Sequence, residues 1–422
     1  MSQKGGALAR VEEVVSPGGL VAYLIHAPML PIVSIACQFR GGAGLDPPGR
    51  AGLAGMTANL LDEGAGPLDS AAFRRALDDD AINLAIEATR DHWSVTLRTL
   101  TARRSRACEL LRWALSQPRF DAEPVARVRS QMQAAVRRRA TSPDYVADRA
   151  WREHAFAGHP YAQPIRGSLD SLGAITVDEL RSLGAGRLCR DGLAIGVSGD
   201  ITATELAPLL DELFGELPAA VALHEPTAVR VRPGLRVSPM PIPQSVMQFG
   251  LDGVARQDPD FYAAVIANYV LGGGGFSSRL LEEIRERRGL AYSVHSQLQV
   301  DLAAPLWLGS LATGNAHAAL ALDLVRQELR RMAAGDLDDA ELSAAKTYLT
   351  GSFPLQLTSN NAVARALARM RAWRFGADFL DRYAALVEAV TLEDVRRVAA
   401  LLFSRPLMVS IAGDPSGIEP SP

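Results

Sequence analysis

The chain has 422 residues, 48% of them hydrophobic, which is enough for two or more domains with substantial cores. A formal net charge of −3 gives no basis for binding nucleic acid or an acidic membrane surface. No apolar run reaches the roughly 18 residues that a membrane span needs, and three widely spaced cysteines argue against a disulfide framework and favour buried thiols.

The first half of the chain alternates between strand and helix patterns. Its first residues, MSQKGGALARVEEVV, contain no apolar signal-peptide core. The expected location is therefore cytoplasmic if Met1 is native and periplasmic if an export signal was removed. The periodicity predicts, in chain order, a strand over 33–39, a helix over 53–61, strands over 81–89 and 92–100, a helix over 125–139 and a buried strand over 193–197.

Short motifs of the first half recur in the second half at offsets of 210 to 215 residues. The similar pairs are VSIACQF (33–39) and SVMQFGL (245–251), TVDELRSL (176–183) and TLEDVRRV (391–398), and GVSGD (196–200) and SIAGD (410–414). Because solenoid repeats are far shorter, this period predicts duplication of a whole domain. We therefore expect domains at 1–220 and 244–422, joined by a proline-rich linker at 221–243. Hairpins mixed with helices favour an α+β fold whose sheets carry helices largely on one face.

The most informative segment is LGGGGFSSRLLEEIRERRGLAYSVHSQLQV, residues 271–300. It opens with a predicted flexible turn of four glycines, Gly272, Gly273, Gly274 and Gly275. Either Ser277 or Ser278 can cap the short helix that follows, and Gly289 is placed to end that helix. A phosphate-binding P-loop is discounted because Phe276 stands where that motif needs its lysine.

A strand is predicted after this helix, because the apolar period changes to two at Tyr292. That period places Tyr292, Val294 and Ser296 on one face of the strand. Arginines at the preceding helix end, including Arg285, suit the negative end of the helix dipole. From these residues alone, a structural explanation of the pair is favoured over a functional one: Arg285 compensates the helix C-terminus, and Tyr292 packs on the apolar face of the strand.

The run GGGGFSSRLLEEIRERRGLAYSV resembles the signature of the second homologous domain in pitrilysin-type (M16) zinc peptidases. The resemblance extends over essentially the whole chain and implies two homologous α+β domains of the LuxS/MPP-like fold, arranged as one half of a clamshell. Family members carry an arginine seven residues before a tyrosine, and this "R/Y pair" helps to hold substrate. The matching residues here are Arg285 and Tyr292, next to the glycine-rich loop.

Active members of that family carry H-x-x-E-H on their first helix, where two histidines bind zinc and the glutamate activates water. The matching stretch, GLAGMTANLLDEG (52–64), has Gly55, Ala58 and Asn59 at those positions. The resemblance therefore implies that this chain has no metal site and no catalytic residue of its own.

Other histidines and carboxylates provide no replacement for that zinc site. His154 and His159 are five residues apart, which on a helix turns them about 140° from each other, so we interpret both as structural. Glu63 and the run 78–80 lack partners at metal-binding spacing and are expected to be solvated or capping groups. The chain also lacks a G-x-S-x-G motif and a cysteine nucleophile signature.

The resemblance points to the non-catalytic R/Y subunit of a heterodimeric M16B zinc metallopeptidase. In that role the chain is inactive alone and binds peptide beside a homologous H-x-x-E-H subunit, which holds the zinc. One alternative is an inert core or scaffold subunit of a larger assembly. Another is a self-associated peptide-binding protein. Retention of both Arg285 and Tyr292 favours the peptidase role, because a scaffold has no evident need for that pair.

Overall fold

The structure is a computed structural model that describes residues 10–220, 222 and 227–419. These residues form two compact units, each built around one β-sheet. Unit 1 contains the described residues of 1–136, 164–225 and 353–383, and unit 2 contains those of 137–163, 226–352 and 384–422. Each unit therefore combines segments from both halves of the sequence.

The described residues form eleven strands and fifteen α-helices. The strands are β1 (Glu12–Val15), β2 (Val21–His26), β3 (Ile32–Arg40), β4 (Asn83–Ala88), β5 (His92–Leu100), β6 (Ala194–Gly199), β7 (Gly234–Pro239), β8 (Gln244–Asp252), β9 (Ala291–Val300), β10 (Pro305–Gly314) and β11 (Met408–Gly413). The helices are α1 (Leu53–Ala58), α2 (Ser70–Asp79), α3 (Arg104–Ser116), α4 (Ala122–Arg139), α5 (Pro143–Ala155), α6 (Leu169–Ala174), α7 (Val177–Arg187), α8 (Ala203–Phe214), α9 (Phe261–Asn268), α10 (Arg279–Leu281), α11 (Ala318–Ala333), α12 (Asp339–Ser352), α13 (Asn360–Ala372), α14 (Phe379–Glu388) and α15 (Leu392–Phe403).

Five strands follow equivalent orders in the two sheets, and the six-stranded sheet of unit 1 has the additional edge strand β1. The order is β1-β2-β6-β3-β5-β4 in unit 1 and β7-β11-β8-β10-β9 in unit 2. In each sheet the closing strand, β6 or β11, pairs antiparallel with the strand that carries the first repeated motif. That closing strand pairs in parallel with its other neighbour, β2 or β7. The mixed sheets with many helices confirm the predicted α+β fold class.

Local sequence signals explain where several helices begin. Thr176, Thr202 and Thr391 each accept a hydrogen bond from the backbone three residues later, and the acidic residue at that later position accepts in return from the backbone N–H of the threonine. These reciprocal capping boxes satisfy N–H groups that lack partners within the helix. Two of the three, at Thr176 and Thr391, lie in the repeated motifs that defined the two halves.

The sheet of unit 1 is covered by helices largely on one face. Along β3, the alternate residues Val33, Ile35, Cys37 and Phe39 join the main core with residues of α1, α3, α7 and α8. On the opposite face Ala36 lies with Ala364 and Ala368 of α13. This helix comes close because β6 has Gly196 there, where a Cβ would lie 2.2 Å from the Ala364 carbonyl oxygen. A helix from the second half of the sequence therefore packs on the sheet of the first half.

Unit 2 shows the reciprocal arrangement. Helix α5, from the first half of the sequence, packs on β7, β8 and β11. Its Trp151 is fully buried and donates a hydrogen bond from Nε1 to the Met408 carbonyl oxygen at 2.9 Å. Gly250 of β8 leaves room for this indole, since a Cβ there would lie 3.1 Å from Trp151 Cζ2. Each half of the sequence thus contributes one helix to the sheet of the other half.

The proline-rich segment contains regular structure. Residues 234–239 form β7, an edge strand that pairs in parallel with β11 and ends at a proline. Proline has no N–H to donate to a neighbouring strand, and an edge strand tolerates this because one of its sides has no neighbour. Residues 221 and 223–226 of the predicted linker lie outside the described residues. The boundaries at 1–220, 221–243 and 244–422 remain a prediction. Cys37, Cys108 and Cys189 are buried and form no disulfide bond. No helix among the described residues is long and apolar enough to cross a membrane.

Candidate functional site

The glycine-rich segment lies in unit 2 between α9 and β9. A π-helical turn (Tyr269–Gly273) extends α9, and a 3-10 turn (Gly275–Ser277) leads into α10. A Cβ at Gly272 would lie 2.5 Å from the Ser296 hydroxyl, and one at Gly273 would lie 2.5 Å from Asn268 Nδ2. A Cβ at Gly275 would meet nothing within 4 Å, so glycine is favoured there by its φ of +59°, which other residues rarely adopt.

Asn268, at the end of α9, fixes the base of this turn to the sheet. Its Oδ1 accepts hydrogen bonds from the Ser296 hydroxyl at 2.8 Å and from the Trp307 indole N–H at 2.9 Å. Gly272 lies directly over Ser296. Gly272 is therefore buried, while Gly273 and Gly275 are exposed.

A serine stands at the start of the next helix as predicted, but its side chain does not make the predicted capping hydrogen bond. Ser278 occupies the N-cap position of α10, but its hydroxyl accepts no bond from the helix. It donates instead to the Gly275 carbonyl oxygen at 2.7 Å, which closes the 3-10 turn. The predicted end of the helix is confirmed, because Gly289 has a φ of +63° and its N–H donates to the Arg285 carbonyl at 2.8 Å.

A β-bulge determines the direction of Tyr292. Val294 pairs with Leu311 and Ala291 pairs with Thr313, so two residues of β9 lie opposite Ala312. Ala291 and Val294 therefore both point into the core, and Tyr292 is 85% exposed. The prediction that Tyr292 shares a face with Val294 was wrong, because the extra residue interrupts the period of two.

Arg285 lies in a second π-helical turn, Glu282–Glu286, which continues α10. Its guanidinium carbon is 5.2 Å from the centroid of the Tyr292 ring and 4.9 Å from that of Phe276. Within the described residues, its ion-pair contact is to Glu286, with Nε 3.4 Å from Oε1. The structure therefore brings Arg285 and Tyr292 together at an exposed surface.

The neighbouring arginines are held by carboxylates instead. Arg287 and Arg288 both donate to Glu283, whose carboxylate is almost fully buried. Burial alone raises the pKa of Glu283, but the hydrogen bond from Arg288 and the nearby arginine charges outweigh it and lower the pKa. Arg279 makes two 2.6 Å bonds to Glu341 of α12, which fixes the start of α10. The role of Arg279 was not predicted, because its partner is distant in sequence.

The three residues predicted at the degenerate zinc site lie along α1 and at its end. Gly55 is half-buried, Ala58 is buried, and Asn59 is the exposed C-cap residue. None of the three has an ionisable side chain. Among the described residues, no group of three or more histidine, cysteine, aspartate and glutamate side chains could hold a metal ion.

Glu63 was predicted to be solvated or capping, and the structure corrects this. Its side chain is 11% exposed and accepts bonds from Arg127 Nη2 at 2.7 Å and from Arg74 Nη2 at 2.8 Å. Burial raises its pKa, but the hydrogen bonds from Arg127 and Ser70 lower it more strongly. Glu63 therefore connects the segment after α1 with α2 and α4. His154 and His159 contact backbone carbonyls, as expected of structural histidines.

Asp46 is another buried carboxylate, and no pattern in the sequence indicated it. Its oxygens accept from the backbone N–H groups of Gly52 and Ala54 at 3.0 Å each, at the start of α1. Burial raises the pKa of Asp46 to about 7, despite these bonds and the charge of Arg187. An open groove of about 460 Å³ beside this helix end is lined in part by Leu53 and Arg187 and by none of the three predicted zinc-site residues.

Comparison with known proteins agrees with this fold. Residues 174–349 match the family model described as "Peptidase M16 inactive domain". The chain is 28% identical over 330 residues to a "Non-peptidase homolog YmxG" of Helicobacter pylori, covering 78% of this chain and 76% of that protein. It is also 23% identical over 416 residues to an uncharacterized zinc protease of Mycobacterium leprae, covering 97% and 93% of the two chains.

A solved structure described as a peptidase M16 inactive domain, from Pseudomonas fluorescens, superposes with a TM-score of 0.91. The match covers 98% of this chain and 100% of that chain, at 24% identity, and so supports the fold. By this fold, the family match over residues 174–349 and these relatives, the chain is similar to inactive, non-peptidase proteins of the M16 peptidase family.

Proposed function

We propose that this chain is the non-catalytic, substrate-binding subunit of a heterodimeric M16 zinc peptidase. Its partner is a homologous chain that carries H-x-x-E-H and holds the zinc ion. The substrate is a peptide bound in an extended conformation. In this assembly the present chain supplies no metal ligand and contributes Arg285 and Tyr292 in trans.

The observation that supports this role most directly is the state of Arg285. Its guanidinium carbon lies 5.2 Å from the Tyr292 ring centroid, and its ion-pair contact is a 3.4 Å approach to the exposed Glu286. Arg279, Arg287 and Arg288 are instead hydrogen-bonded to carboxylates. A cation held in place with unused N–H donors is suited to bind an acceptor from outside the chain. The β-bulge leaves Tyr292 pointing outward, and its phenol group is both donor and acceptor.

The geometry of unit 2 also suits an extended peptide. β9 is the last strand in the order of its sheet, so a peptide can add to it through backbone hydrogen bonds. Such a peptide would pass Tyr292 at the start of β9. At the exposed Gly275, where a side chain would face open space, its absence allows a second backbone to approach closely.

Hydrolysis of a peptide bond builds negative charge on the scissile carbonyl oxygen, and fixed donors near that oxygen lower the barrier. The zinc ion of the partner, when bound, activates water and polarises that carbonyl. Arg285 provides a permanent cation, and Tyr292 provides a directional O–H donor. Both groups hold the carbonyl in place while the partner performs the chemistry.

The test is to reconstitute the complex with its zinc-bearing partner and to compare Arg285→Ala and Tyr292→Phe with the parent. Each change should lower kcat/KM by a factor that corresponds to a loss of about 2–4 kcal/mol of transition-state stabilisation, or less if the residue only positions substrate. Arg326→Ala is the matched control, because this arginine on α11 contacts only Asp323 among the ion pairs described. Unchanged kcat/KM in both variants, with the complex assembled, would favour a scaffold role instead.

A further inference from the structure

Phe276 is an exposed aromatic residue at the tip of the glycine-rich turn. Its side chain is 73% exposed, although a phenyl ring gains free energy from burial. The ring is placed by Gly275, whose positive φ turns the chain immediately before it. Its described contact is with the Arg285 guanidinium, whose central carbon is 4.9 Å from the ring centroid.

The guanidinium of Arg285 thus lies within cation–π distance of two exposed rings, Phe276 and Tyr292. A guanidinium is planar, and its five N–H donors point outward in that plane. Two rings this close restrict its rotation, while the two Nη groups keep N–H donors for an external acceptor; Nε lies 3.4 Å from Glu286 Oε1. An arginine side chain loses rotamer entropy when it is fixed, and restricting it before substrate arrives reduces that cost at binding.

We propose that Phe276 is a positioning residue for Arg285 and therefore the third member of the substrate-binding site. This inference rests on the proposed function of Arg285. Phe276 holds the guanidinium against Tyr292, so that its edge presents N–H donors to an acceptor lying in the guanidinium plane. The acceptor that fits is a backbone carbonyl of an extended peptide, rather than an apolar side chain.

The stacking can be measured in the isolated chain, without substrate or partner. The Nε–H resonance of Arg285, assigned by its loss in Arg285→Lys, should be shifted upfield by ring currents. Phe276→Leu keeps an apolar side chain but removes the ring, so this resonance should move downfield. Tyr348→Leu is the control, because that exposed ring packs on Tyr269 and not on Arg285. An Arg285 resonance that is unchanged by Phe276→Leu would overturn the proposal.

The second measurement uses the reconstituted complex and a double-mutant cycle. Phe276→Leu should lower kcat/KM by about 2- to 5-fold, which corresponds to the cation–π energy of an exposed pair. Phe276→Tyr should retain activity close to the parent, since it keeps the ring. In an Arg285→Ala background, Phe276→Leu should have no further effect, because its role is exerted through the arginine.

These outcomes separate failure of this inference from failure of the proposed function. If Arg285→Ala lowers kcat/KM and Phe276→Leu does not, Arg285 acts without Phe276 and the inference is wrong. The same conclusion follows if Phe276→Leu has its full effect in the Arg285→Ala background. If Arg285→Ala itself has no effect, the proposed function fails first.

Discussion

Replacing Gly196 with alanine should destabilise unit 1, because α13 lies directly against this glycine. A Cβ at position 196 would lie 2.2 Å from the Ala364 carbonyl oxygen and 2.4 Å from the Ala368 amide nitrogen. Both are backbone atoms of a helix, so no side-chain rotation relieves the contact. Non-bonded carbon and oxygen atoms approach to about 3.3 Å. Helix α13 would therefore have to move away from β6 by about 1 Å.

Overpacking of this kind costs about 1–3 kcal/mol. We expect Gly196→Ala to lower the free energy of unfolding by that amount, measured by urea denaturation followed by circular dichroism. The matched control is Gly186→Ala in α7, where a Cβ meets nothing within 4 Å. That change should be neutral or stabilising by about 0.5–1 kcal/mol, because alanine favours helix. Equal stability of the two variants would refute the close packing of α13 on β6.

Three further predictions follow from buried charge and from the predicted zinc-site positions. Glu63→Gln should lower the free energy of unfolding by about 1–3 kcal/mol, because Arg127 loses a buried carboxylate partner. Glu123 is a well-exposed partner of the same arginine, so Glu123→Gln should change the free energy of unfolding by less than about 0.5 kcal/mol in the same urea assay. A larger loss of stability in Glu123→Gln than in Glu63→Gln would contradict this expectation. The pKa of Asp46 is raised to about 7, so its neutral form is favoured in the folded state, and the stability it contributes is lost as pH rises from about 4 to 7. Asp46→Asn should therefore flatten the pH dependence of unfolding in that window, and an unchanged slope would count against burial as the cause. Finally, elemental analysis of the isolated chain should find no stoichiometric zinc, because glycine, alanine and asparagine stand at the positions of the two histidines and the glutamate of H-x-x-E-H. One tightly held zinc ion per chain would contradict this expectation.

Features set by local sequence could be predicted well. Apolar periodicity predicted β3 and β5, and a buried apolar run predicted β6. The repeated motifs VSIACQF and SVMQFGL lie on β3 and β8, which occupy equivalent places in the two sheets. Gly289 ended its helix as expected, because a positive φ there strongly favours glycine.

Features that depend on distant contacts could not be predicted. The exchange of α5 and α13 between the sheets depends on space at Gly250 and Gly196, and a glycine in a strand does not reveal which helix approaches it. The bulge opposite Ala312 depends on the register between β9 and β10, so the direction of Tyr292 could not be read from its spacing. Phe276 had no periodic pattern to distinguish it, and its contact with Arg285 is known only from the structure.

The most direct test of the central claim is whether this chain contacts substrate at Tyr292 in the assembled peptidase. The measurement is photo-crosslinking with Tyr292→p-benzoylphenylalanine, in a complex whose partner lacks its H-x-x-E-H glutamate and therefore retains a labelled peptide. The same photoreactive residue at Leu320, an exposed position on α11, is the control. We expect the label to attach to this chain from position 292, to be lost with excess unlabelled peptide, and to be absent from position 320. No labelling from position 292, in a complex that still holds the peptide, would contradict a substrate-binding role for this site.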